Sequence, residues 1–251
     1  MNRAGELDEN CTYDLSSPVL LTGGAQRLGL YNAQRLLDGG QQVIVSCRTR
    51  HAAVDDLERR GAAVLYGDFA TVDGIERFIA SLLQTTDRLR AIVHNASAWM
   101  NDAAVHANPA AFTELVNVHM LAPFMINSRC ADLLLHERGH DMRDIVHMTD
   151  YAIQKGSAKR AAYVATKAGL ESMTRSFAKR FAPDIKVNAI APALIKFNPG
   201  DSPAYRHSAL RKSAMGIEPA EDVVWQTLRF ILGNKFLTGA VIPMDGGRHL
   251  V

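Results

Sequence analysis

The chain offers little that would tie it to a metal, a membrane or a nucleic acid. It has three cysteines, Cys11, Cys47 and Cys130, too far apart for a metal-ligand or redox spacing. They read as reduced thiols of a cytoplasmic protein. No run of 18 apolar residues exists that could span a bilayer. The N-terminal stretch MNRAGELDENCTYDLSSP is polar and lacks the apolar core of a signal peptide, so residues 1–17 read as a flexible leader. Charge of one sign is also lacking: 28 basic and 26 acidic residues are mixed throughout, a net +2. Such a balance carries no footprint for nucleic acid. Repeats, low-complexity tracts and domain linkers are absent too. The 251 residues are 47% hydrophobic, enough for one sizeable core.

Short apolar runs alternate with helical patterns, the mark of βαβ units and a parallel sheet. Strands are expected at 18–24, 42–47, 62–68, 90–97, 144–150, 185–192 and 240–243. Residues 108–138 supply two helices broken near Pro123, and a helix carrying Tyr163 runs to about Phe181. The expected fold is a single-domain, Rossmann-type, doubly wound parallel sheet of about seven strands, with helices on both faces. It occupies residues 18–251. The least regular stretch, residues 196–214, is long for such a connection and reads as a substrate loop or lid.

In an open parallel sheet, ligands sit beyond the C-terminal strand ends. There the sequence gathers Thr22–Gly29, Cys47–Thr49, Asp68, Asn95–Ser97 and Asp150. The turn TGGAQRLG, with Gly23, Leu28 and Gly29, opens a helix whose free N–H groups suit a pyrophosphate. Arg27 stands where a glycine of the usual fingerprint would be and adds a fixed positive charge. The second strand ends in Cys47-Arg48-Thr49-Arg50, with no acid before Asp55. Guanidinium there suits the 2′-phosphate of NADPH, whereas NAD would ask for a carboxylate.

Tyr163 and Lys167 lie four apart and share a helix face. A nearby cation favours phenolate, so the pair suits proton transfer. Asp150 stands thirteen residues ahead of the tyrosine.

Five segments in order, TGGAQRLG (22–29), HNAS (94–97), YVATK (163–167), VNAIAPALI (187–195) and TGAVIPMDGG (238–247), resemble the short-chain dehydrogenase/reductase family. The resemblance spans Val19 to Gly247. It implies that Tyr163 donates a proton, while Lys167 binds the nicotinamide ribose and lowers the phenol's pKa. Asn95 and Ala96 would line the coenzyme, Asp68 would meet the adenine, and Pro192 to Ile195 would contact the nicotinamide. It also implies a homotetramer.

Three residues depart from that pattern: Arg27 for a glycine, Asp150 for the catalytic serine, and His119 at the family's structural asparagine. Ser157 could replace the serine, though its Gly-Ser-Ala setting suits a turn. With HNASAW, FTELVNVH, MTDY and DGGRHL, these departures are similar to the pteridine reductases, and among them to the bacterial dihydromonapterin reductase group. That likeness implies that Trp99 stacks on a pterin ring, with Ser97 and Arg27 meeting the pterin and the coenzyme phosphates. Chemistry points the same way. An ionised Asp150 would repel the oxyanion of a ketone reduction but suits an imine nitrogen that must be protonated. Dihydropterin reduction, carbonyl reduction and coenzyme binding without turnover stay open at this level, and no metal is expected.

Overall fold

A computed structural model describes residues 16–135 and 142–251. Cys11 and most of the expected leader therefore lie outside the described residues. Its last two residues are described, and Ser17 is buried, its carbonyl accepting from Gln41 Nε2 at 2.7 Å.

The first half of the chain runs β1 (Val19–Thr22), α1 (Arg27–Asp38), β2 (Val43–Cys47), α2 (Ala52–Arg59), β3 (Ala63–Tyr66), α3 (Val72–Thr85) and β4 (Ala91–His94). Next come α4 (Asp102–Ala107), α5 (Ala110–Val116), α6 (Ala122–Arg129), α7 (Ala131–Leu135), β5 (Arg143–Met148), α8 (Ala152–Lys155) and α9 (Ala161–Phe181). The chain closes with β6 (Ile185–Pro192), α10 (Pro203–Leu210), α11 (Asp222–Gly233) and β7 (Val241–Met244). Seven parallel strands form one sheet in the order β3-β2-β1-β4-β5-β6-β7. The order reverses between β1 and β4, and that seam opens a cleft at the strand ends.

Successive strand residues point to opposite faces, so both faces must be apolar when helices cover both. Leu20, Ile92, Ile145 and Val187 pack against Phe78, Ile126 and Phe177 on one side. Val19, Leu21, Val93, Val146 and Ile190 pack against Leu36, Trp225 and Leu228 on the other. Each such side chain withdrawn from water contributes about 1.5–3 kcal/mol.

All seven expected strands are present, but two helical expectations need correction. Pro123 does not break a helix. The residues Asn117–Leu121 form a wide π-turn between α5 and α6, with Ala122 N–H bonded to Asn117 O. Pro123 brings no N–H, and its ring would crowd the carbonyl four residues back, that of His119. The wide turn relieves that conflict and lets the helix continue. Nor is 196–214 irregular throughout, because α10 lies inside it. Ser202 Oγ caps α10 by accepting from Tyr205 N at 3.2 Å, and Pro203 occupies the first turn, where its missing N–H costs nothing.

Two polar systems are buried beneath the sheet's apolar layers. Arg90, Asp144 and Lys186, at the starts of β4, β5 and β6, form an ion triad. Its cations also donate to the last carbonyls of α11, Arg90 to Leu232 O and Lys186 to Ile231 O, both at 3.0 Å. Nearer the cleft, His94, Asn127, His147 and Thr174 form a hydrogen-bonded chain. Burial pushes the His94 imidazole down to about 4, so the chain is uncharged at neutral pH.

Candidate active site

A cavity of about 460 Å³ sits at the reversal, within the range of small-molecule sites. Its walls include Gly23, Arg27, Leu28, Gly29, Arg48, Thr49, Asp68, Asn95, Ala96 and Ser97, all named from the sequence. Close backbone approach explains the glycines. Gly23 has φ +65, and a Cβ there would lie 2.8 Å from Ala96 Cα. A Cβ on Gly29 would lie 2.1 Å from Gly23 O. Arg27 has φ +50, left-handed backbone that an arginine adopts at a cost of about 1–2 kcal/mol. The glycine expected there is thus missing where the chain needs it. The Arg27 guanidinium instead reaches Asn198 Oδ1 and, at 3.4 Å, Lys196 O.

The turn is held from both sides. Thr22 Oγ1 accepts from Asn95 N at 3.0 Å and Ala96 N at 3.1 Å, while Asn95 Nδ2 donates to Gly23 O at 3.0 Å. Ser46 Oγ accepts from Gly23 N at 3.0 Å. At the end of β2, Arg50 is engaged by Asp55 and Glu58, whereas Arg48 is 63% exposed with Glu114 at 3.9 Å. Both guanidiniums are exposed, and Arg48, with only this looser ion pair, is the less committed of the two. A turn with bare backbone at Gly23 and Gly29, an open helix N-terminus and an exposed arginine together fit a phosphorylated dinucleotide.

Asp150, Tyr163 and Lys167 come together just past β5, outside the walls of that cavity. Tyr163 Oη donates to Asp150 Oδ2 at 2.9 Å, and Asp150 Oδ1 accepts from Ala152 N at 2.8 Å. Lys167 Nζ donates to Met148 O at 2.7 Å and stands 6.0 Å from the Tyr163 ring centre. The expected lowering of the phenol's pKa by Lys167 is not what this arrangement produces. Burial first, then the Asp150 charge and hydrogen bond, push the phenol well above its ordinary value. Burial also lowers the Lys167 amine to about 8, with Asp150 pulling the other way. The phenol is thus held protonated, with its hydrogen already shared.

Pro192 lies beside this group, its carbonyl accepting from Tyr151 N at 3.2 Å. Ile195 is buried and lines a separate apolar cavity of about 370 Å³ with Met215, Ile217 and Met244. Trp99 is 62% exposed, which excludes a core role, and the Arg160 guanidinium covers its ring at 4.7 Å. Ser157 makes no contact with Asp150 or Tyr163 that would let it replace the serine, and it follows Gly156 at φ +72, as a turn residue does. Sequence reasoning missed Ser46, Asp102 and Arg160. Asp102 caps α9 from 59 residues away, its oxygens accepting from Ala161 N at 2.8 Å and Ala162 N at 3.1 Å. No local pattern announces so distant a cap, though a Tyr helix lacking an N-cap residue of its own could have prompted the search.

A family profile described as enoyl-(acyl carrier protein) reductase matches residues 23–249. The chain belongs to the short-chain dehydrogenase/reductase family. Among relatives in this family, the dihydromonapterin reductase of Escherichia coli O6:H1 is 44% identical over 235 residues, 94% of this chain and 98% of that one. The dihydromonapterin reductase of Klebsiella pneumoniae is 44% identical over 93% of this chain and 97% of its own. Among solved structures, the FolM alternative dihydrofolate reductase 1 of Brucella canis, complexed with NADP, superposes with a TM-score of 0.81. It shares 26% identity over 95% of this chain and 96% of that one. The Pseudomonas aeruginosa RhlG/NADP complex superposes at 0.83 with 24% identity, covering 94% and 97%, and shows the same fold.

Proposed function

We propose that this reductase uses NADPH to reduce dihydropterins, 7,8-dihydromonapterin first and dihydrofolate more slowly. The observation that carries the reading is the hydrogen bond from Tyr163 to Asp150, which puts a carboxylate where a ketone reductase needs donors. Two dihydromonapterin reductases at 44% identity and an NADP-bound dihydrofolate reductase among the structural neighbours support it.

NADPH, when bound, supplies the hydride that ends on C6 of the substrate. Arg48 and Thr49 would hold its 2′-phosphate, Gly23 to Gly29 its pyrophosphate, Asp68 its adenine side, and Asn95, Ala96, Pro192 and Ile195 its nicotinamide side. Lys167 would hold the nicotinamide ribose. Tyr163 keeps its proton, through burial and Asp150, until an imine nitrogen takes it. Asp150 would stabilise the cation that forms when N5 of the C6=N5 imine takes that proton, a charge that is lost as hydride reaches C6 and C6–N5 becomes a single bond bearing the new N–H. Trp99 would stack on the pterin, displacing or sandwiching Arg160. The 196–214 segment, tied to Arg27 through Asn198, closes the site. Like other expectations of the family, a homotetramer in the cytoplasm belongs to this reading. Among the described residues, no helix is long and apolar enough to cross a membrane.

The test is NADPH consumption with 7,8-dihydromonapterin, dihydrofolate and a simple diketone. Faster turnover of the diketone would favour a carbonyl reductase, and turnover of none would favour a coenzyme-binding protein.

A further inference from the structure

His119 is fully buried in the π-turn, at the point where the end of β4 meets α9. Its Nε2 lies 3.2 Å from Ala98 N and 2.9 Å from Ser97 Oγ. Its Nδ1 lies 2.8 Å from Thr166 Oγ1, whose own hydroxyl donates to Tyr163 O at 2.8 Å. These partners leave one arrangement of protons. A backbone N–H can only donate, so Nε2 is the bare nitrogen and Nδ1 carries the hydrogen. Thr166 has spent its hydrogen on Tyr163 O and can accept from Nδ1–H. Of the acceptors beside Ser97 Oγ, Nε2 at 2.9 Å is nearer than Ala98 O at 3.5 Å, so the Ser97 hydroxyl donates to Nε2, whose lone pair it shares with Ala98 N–H.

We infer that His119 is a positioning residue that accepts a hydrogen bond from the Ser97 hydroxyl, so that Ser97 faces the substrate with lone pairs only. The inference rests on the proposed pterin reading and narrows its substrate class. Ser97 lines the coenzyme cavity, and Asp150 accepts from Tyr163 beside it. The site then offers two acceptors, Asp150 and Ser97, against one donor, Tyr163. Such a wall suits a ring bearing N–H groups, as reduced pterins do, and leaves a ketone oxygen short of donors. Burial and the nearby Lys167 charge lower the imidazole to about 2, so His119 stays neutral and the direction of these bonds does not change with pH in the working range. The ring also stands edge-on to Tyr163, 5.4 Å between centres, which fixes Ser97 relative to the phenol.

The test has two arms. Long-range ¹H–¹⁵N NMR on histidine-labelled protein with NADP⁺ reads the tautomer directly, the His119 signals being those lost in His119→Leu. Nδ1–H is expected, and Nε2–H overturns the inference whatever the kinetics show. In the second arm, His119→Leu frees the Ser97 proton. The ratio of kcat/KM for 7,8-dihydromonapterin to that for a diketone should fall by about tenfold or more, the scale of one reversed hydrogen bond. The Kd for NADPH should stay within about twofold. A parallel loss of both activities means that His119 is only structural, and overturns the inference. If His119→Leu does not fold, His119→Asn or His119→Phe supplies the assignment, and the NMR arm decides. If the unmodified enzyme reduces no dihydropterin, the functional reading fails, while the tautomer still tests the hydrogen bonds.

Discussion

At the scale of single residues, Asp150 divides the imine reading from the ketone reading. Asp150→Ser should lower dihydropterin turnover by roughly 10²-fold, the size of a lost acid–base partner. Full dihydropterin activity in this variant would make the acid incidental. Arg48→Glu should raise KM for NADPH steeply with kcat nearly unchanged, because repulsion replaces a charge-assisted contact. Equal kcat/KM for NADPH and NADH in the unmodified enzyme would remove the role given to Arg48. Lys167 makes a prediction about stability. Burial lowers its amine from 10.5 to about 8. Between those values the unfolded chain binds more protons than the folded one, so stability rises with pH across that window and is lowest below pH 8. Denaturant midpoints of the unmodified chain minus those of Lys167→Met should climb from pH 8 to 10.5, and a flat difference would refute the shift. The types and spacing of Tyr163, Lys167 and Arg48 were legible in the sequence. The polarity of the phenol was not, because it depends on burial and on which oxygen of Asp150 faces it.

At the scale of elements, the strands were legible because residues buried on both faces give continuous apolar runs, as in residues 19–21 of β1 and 91–93 of β4. The π-turn was not, since a proline in a helical pattern ordinarily signals a break, and only the wider turn ahead of Pro123 removes the conflict. Likewise α10 escaped because its apolar residues lack a clear stripe, although Ser202-Pro203 is a start signal. Helix α9, which carries Tyr163 and Lys167, depends on α4 for its cap. Asp102→Ala should destabilise the chain by about 1 kcal/mol. It should also lower kcat more than it raises KM for NADPH, since the unsatisfied N–H groups lie one to two residues ahead of Tyr163. Unchanged kcat alongside the lost stability would mean that the first turn of α9 frays without moving the phenol.

For the whole molecule, the Arg90–Asp144–Lys186 triad joins three strands and the end of α11. Burial raises the Asp144 carboxyl above its ordinary value, and the two cations oppose that shift. Asp144→Asn strands two buried cations and should cost about 3–5 kcal/mol. A change in denaturant midpoint corresponding to less than about 1 kcal/mol would show that water reaches the triad. In the sequence these three charges look like ordinary strand flanks, because their partners are 54 and 42 residues away. The strand order has a consequence of another kind. β1 and β4 pair directly, Leu21 with Val93, although about seventy residues separate them in the chain. The coenzyme cleft lies along that junction, so neither half of the chain can build it alone. During synthesis, the first three strands must wait for the fourth before a nucleotide has anywhere to bind, and long-range parallel pairing of this sort is slow. A nucleotide bound in that cleft would span the junction and act as a clamp across it. At a hundred times its Kd, NADPH should slow separation of the two halves with about 2.7 kcal/mol of added stability.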